Sequence, residues 1–129
     1  MLKKILVLAA LLPLISFAQS NDIKGKWEYK YEDELHIRYE VFEHDNMYYA
    51  KVTYYSYQSE VWTPSEDEDT FVFFDLKKTD LNIYHGKYYE FEENEVYDVK
   101  LEHISDNEIK VTSFEDDEEE IILKRISDN

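Results

Sequence analysis

The sequence predicts an all-β domain, an antiparallel meander of about eight or nine strands closing into a small barrel, with a two-sheet sandwich as the alternative arrangement. Three observations carry this. Aromatic and branched residues alternate with charged ones at a period of two, as in Trp27, Tyr29 and Tyr31 against Glu28 and Lys30. Clusters of Asp, Asn, Glu and Ser interrupt that alternation about every ten residues, the spacing of short strands joined by tight turns. No convincing amphipathic helix of useful length is present. Closure into a barrel is the favoured arrangement because it removes exposed strand edges.

The strands follow in order. Trp27 to Tyr31 presents an aromatic inner face, and Asp33-Glu34 ends it. Leu35, Ile37, Tyr39 and Val41 form the next apolar face, closed by a hairpin turn at His44-Asp45-Asn46. Met47 to Tyr57 is a long strand with aromatics on both faces. Strict alternation puts Tyr48, Ala50, Val52 and Tyr54 together on one of them. Val61 and Trp62 continue it after a bend, and Thr63 to Asp69 is a loop. Thr70 to Phe74 is a strand, Asp75 to Asp80 holds a turn, and Leu81 to Phe91 is extended with a bend or bulge at Gly86. Val96 to Ile104, Glu108 to Phe114 and Ile121 to Ile126 complete the meander.

The first residues do not belong to this pattern. Lys3 and Lys4 precede an apolar run from Ile5 to Ile15, and Ser16-Phe17-Ala18 supplies a small–x–small cleavage pattern before Gln19. Residues 1–18 are therefore expected to be a signal peptide, and 19–129 a single exported domain, periplasmic or extracellular. The apolar run is short for a bilayer span of about 20 residues, and no second run follows, so no membrane span is expected after cleavage.

Composition narrows the function. The chain carries 30 Asp and Glu against 14 Lys and Arg, a formal net charge of −16. Loss of Lys3 and Lys4 with the signal makes the remainder more acidic still. This argues against nucleic acid and anionic membrane as partners, since both require a basic footprint. A basic protein partner is compatible, chiefly through encounter rate. With no cysteine, stability rests on packing and strand pairing, for which 12 Tyr, 7 Phe and 2 Trp supply the area.

Asp22-Ile23-Lys24-Gly25-Lys26-Trp27 resembles the opening of lipocalin-like and other calycin β-barrels, in which a Gly-x-Trp element starts the first strand. The resemblance implies that Trp27 plugs the closed end of the barrel. The order of later features is similar to the DUF2147 group of small exported bacterial proteins of unknown function. Met47 to Val52, Gly86-Lys87-Tyr88-Tyr89, Tyr97 to Leu101, Ile109 to Val111 and Leu123 to Arg125 carry that likeness. It implies a fold and no activity.

No catalytic residue is indicated. The serines stand outside any G-x-S-x-G context, and among 30 carboxylates some pair falls at glycosidase-like spacing by accident. His36, His44, His85 and His103 form no metal-binding spacing. The acidic runs at 67–69 and 115–120 lack the spaced ligands and central glycine of a calcium loop. Neither metal nor cofactor is expected. Tyrosine offers an apolar ring with a polar tip, which suits a binding surface. Tyr48, Tyr54, Phe73, Tyr84, Tyr88 and Tyr97 are the candidate ligand residues, and Trp27, Gly25 and Gly86 the structural ones. The function expected is non-enzymatic binding of a small or apolar ligand in an aromatic-lined barrel. The alternative is an acidic interaction or structural module of the cell envelope with a filled core.

Overall fold

The computed structural model describes residues 22–64, 71–115 and 118–126. The expected signal peptide at 1–18 and the acidic run at 67–69 lie outside the described residues, as do 116 and 117 of the second acidic run. Nine antiparallel strands form one sheet: β1 (Gly25–Tyr31), β2 (Leu35–His44), β3 (Met47–Tyr57), β4 (Glu60–Trp62), β5 (Phe71–Asp80), β6 (Ile83–Glu90), β7 (Glu95–Ser105), β8 (Glu108–Phe114) and β9 (Glu118–Arg125). The order β2-β1-β9-β8-β7-β6-β5-β3, with β3 also pairing β2, closes eight of them into a barrel. The sandwich alternative is thereby excluded. β4 folds back on β3 through a turn at Gln58 and Ser59, both at positive φ, instead of continuing the strand.

The inner face follows the alternation. Trp27, Tyr39, Val41, Tyr48, Ala50, Val52, Phe73, Leu76, Tyr84, Val99, Leu101, Ile109, Val111 and Leu123 are buried together in one core. The period fails at one position on β3. Tyr39 pairs with Val52 but Arg38 pairs with Tyr54, so Thr53 is an extra residue on β3. Such a bulge reverses the facing of everything beyond it. Tyr54 therefore leaves the face of Tyr48 and Val52 and stacks outside, its ring 5.1 Å from that of His36 and 5.1 Å from the Arg38 guanidinium. Tyr55 takes its place against the core. A second irregularity lies at Asp75, which has φ of 52°. It lets β5 run on to Asp80, where a turn is expected from the sequence.

Gly86 sits against that irregularity. A Cβ on it would lie 2.8 Å from the Leu76 Cα and 2.9 Å from the Asp75 carbonyl oxygen. Two strands approach here more closely than any side chain permits.

The barrel is shut at one end and open at the other. Trp27 is fully buried at the shut end and donates from its indole Nε1 to the Ile23 carbonyl at 2.8 Å. The Arg125 guanidinium lies 4.3 Å from the Trp27 ring and donates to the carbonyls of Asp106, Lys24 and Asp22. One side chain thus ties the segment before β1 to the β7–β8 turn while covering the plug. Gly25 has φ of 126°, a conformation that requires glycine, and a Cβ there would also press on the Arg125 guanidinium at 2.9 Å.

Candidate functional site

Closure at Trp27 sets which end of each strand can reach a ligand. Residues after Trp27 on β1, before it in register on β2, and at the start of β5, β7 and β9 point toward the open end. There the inner face widens into a cavity of about 390 Å³ lined by Tyr29, Leu35, Ile37, Tyr39, Phe73, Tyr88, Val111, Ser113 and Ile121. Its rim adds Glu90, Glu92, Glu93, Glu115 and Glu119. A volume of this size falls in the range of small-molecule pockets, about 300–1,000 Å³.

The floor is aromatic. Phe73 lies between two tyrosines, its ring centroid 5.8 Å from that of Tyr39 and 5.7 Å from that of Tyr88. The Tyr88 hydroxyl donates to Glu90 Oε2 at 2.6 Å. Burial, and then that carboxylate, hold the Tyr88 hydroxyl well above the ordinary tyrosine range. Tyr39 is only 5% exposed, yet its hydroxyl has no hydrogen-bond partner among the described residues. Burial raises its pKa first, with Tyr29 and Glu90 adding to the effect. Both phenols are therefore neutral donors at any physiological pH.

The six residues proposed from sequence separate into three groups. Phe73 and Tyr88 line the cavity. Tyr97 lies beside its rim, where its hydroxyl donates to Glu93. Tyr48 and Tyr84 are buried toward the shut end, their rings edge to face at 5.1 Å. Tyr48 reaches Asp22 at 3.4 Å, and burial with the Asp22 and Glu43 carboxylates pushes the Tyr84 hydroxyl up to about 12. They pack the core and do not line the cavity. Tyr54 is on the outer wall and is corrected accordingly. Tyr29, Tyr39 and the five rim glutamates are not among the sequence candidates. Alternation places Tyr29 and Tyr39 on inner faces, and taking Trp27 as the plug would have put both on its open side.

A second opening adjoins the cavity. β1 pairs with β9 only at Trp27↔Arg125 and Glu28↔Lys124, after which the two strands separate. The gap, about 650 Å³, is lined by Glu28, Tyr29, Lys30, Tyr31, Glu120, Ile121, Ile122 and Lys124. Although larger, it is a gap between two separating strands, lined in part by Lys30 and Lys124. The cavity is the better site because its aromatic lining converges. Tyr29 and Ile121 border both.

His103 is the other buried polar side chain with an unusual setting. Its ring stands edge-on to Trp27 at 6.0 Å. Neither ring nitrogen makes a well-formed hydrogen bond among the described residues, although the Asp106 backbone is close enough to offset part of the burial. Burial lowers its pKa, so it is neutral in the fold. Among the described residues no group of three or more His, Asp or Glu side chains is placed to hold a metal ion, and no helix is long and apolar enough to cross a membrane.

The closed barrel has a solved counterpart. HP1028 from the human pathogen Helicobacter pylori, described as belonging to the lipocalin family, superposes with a TM-score of 0.64 at 22% identity, over 83% of this chain and 84% of that one. The fold is lipocalin-like. No family model matches the chain and no curated protein does, so the finer likeness to the DUF2147 group finds no support there. In the lipocalin-like barrel described here the Gly25-x-Trp27 element stands where the sequence resemblance implies, at the shut end.

Proposed function

We propose that this lipocalin-like protein is an exported, non-enzymatic carrier that holds one small ligand with an apolar portion in the open end of its barrel. The observation that carries the reading is the aromatic cavity of about 390 Å³, whose wall includes the largely buried Tyr39, its hydroxyl without a side-chain partner among the described residues. Apolar area supplies the affinity, and a few placed donors supply orientation. The alternative, an acidic module meeting a basic protein, has one feature in its favour: Phe42, Tyr49 and Phe71 cluster on the outer wall, with Phe42 stacked on Tyr49 at 5.7 Å.

The test uses the neutral apolar fluorophore N-phenyl-1-naphthylamine. One-to-one binding with enhanced emission is expected, and Ser113→Trp, which fills the mouth while leaving the net charge unchanged, should abolish it. Absence of binding by the native protein would remove the carrier reading in favour of the interaction module. Export is checked separately. The N-terminus of protein recovered from the producing cells should be Gln19, outside the cytoplasm.

A further inference from the structure

We infer that the ligand of this cavity carries a positive charge on its polar end, as an amine or quaternary ammonium attached to an apolar body. The inference rests on the carrier reading and specifies the ligand class. Five carboxylates, Glu90, Glu92, Glu93, Glu115 and Glu119, line the mouth, and no Lys, Arg or His is among the lining residues. Beneath them lie the rings of Tyr29, Tyr39, Phe73 and Tyr88. A cation entering this funnel meets carboxylates of opposite charge that focus the field across a low-dielectric wall. Deeper in, it meets ring faces that attract cations electrostatically. An anionic amphiphile such as a fatty acid meets repulsion at the rim and finds no cation inside.

Tyr39 is the independent observation. It is 95% buried by its 5% exposure, borders the cavity, and leaves its hydroxyl without a partner among the described residues. The hydroxyl is not sealed in the core, so on the cavity wall it stays open to a ligand atom. Because the phenol stays neutral, its oxygen can accept from an ammonium N–H, while its ring remains available to a quaternary head group.

The experiment compares three ten-carbon probes that differ only in the head group: decyltrimethylammonium, decanol and decanoate. Each competes against bound N-phenyl-1-naphthylamine in low-salt buffer. Decyltrimethylammonium is expected to displace the fluorophore at a concentration at least about tenfold below that of decanol, with decanoate weakest. The double substitution Glu92→Gln/Glu119→Gln, which spares the Tyr88–Glu90 bond, should shrink the preference several-fold. Decylamine should lose affinity on Tyr39→Phe, with melting unchanged. Equal displacement by decanol and decyltrimethylammonium would overturn the cationic assignment while leaving the carrier reading intact. Failure of the fluorophore itself to bind defeats the carrier reading first. Ammonium binding that survives Ser113→Trp would also overturn the assignment, since it would then reflect surface charge.

Discussion

Replacing Trp27 by alanine removes the plug, and its cost can be worked from the contacts. The side chain is fully buried, so deleting it leaves a cavity whose cost for a Trp→Ala change is about 3–5 kcal/mol. The Ile23 carbonyl loses its indole donor, worth about 1–3 kcal/mol if no water replaces it. Arg125 loses the ring beneath its guanidinium, about 0.5–2 kcal/mol. These contributions share atoms and do not add in full, so about 5 kcal/mol is the expected loss. That approaches the whole stability of a marginal domain, about 5–15 kcal/mol. Urea unfolding followed by far-UV circular dichroism should show the midpoint collapse with little change in slope. Trp27→Phe keeps a ring under Arg125 and loses only the donor and some volume, so it should retain most of the midpoint. A loss below about 1 kcal/mol for the alanine variant would refute the assignment of Trp27 as the plug.

Other consequences follow from single residues. His103 is neutral in the fold because burial lowers its pKa, whereas the unfolded chain protonates it near pH 6.5. Between the two values the unfolded state binds more protons, so stability falls as pH drops below about 6.5 and levels off below the folded pKa. Unfolding midpoints at pH 7.5 and 5.0 should differ less in His103→Leu than in the native protein, and an unchanged difference would count against a buried neutral imidazole. Gly86→Ala places a methyl against backbone that cannot swing away, and should cost about 1–3 kcal/mol in thermal unfolding, where a neutral result would mean the strands have room. Tyr54→Ser should leave fluorophore binding unchanged because Tyr54 is outside the barrel, while Phe73→Ala should weaken it at least tenfold. Equal effects from the two would show that the Thr53 bulge has been placed wrongly.

Much of this barrel is legible in the chain itself. Alternation on β1 and β2 puts Trp27, Tyr29, Ile37, Tyr39 and Val41 inside, because successive side chains of a strand must point to opposite faces. The Gly25-x-Trp27 element marks the first strand, and the acidic balance argues against polyanionic partners. The candidate site was only partly legible. The sequence candidates Phe73 and Tyr88 line the cavity, whereas Tyr48 and Tyr84 are equally aromatic with the same periodicity but lie toward the opposite end. Nothing local distinguishes the two ends of a strand.

The sequence by itself determined the strand class, the inner faces up to the first irregularity, and a strongly acidic surface. Those properties depend on the pleat and on side-chain chemistry, which are local. Only the tertiary structure decided that the ends of the meander meet, that Arg125 crosses to cover Trp27, and that Thr53 turns Tyr54 outward. It alone gathered five separate glutamates around one aromatic mouth. Each of these depends on how distant strands pair, and a one-residue change in register reverses a facing without altering any residue's own preference.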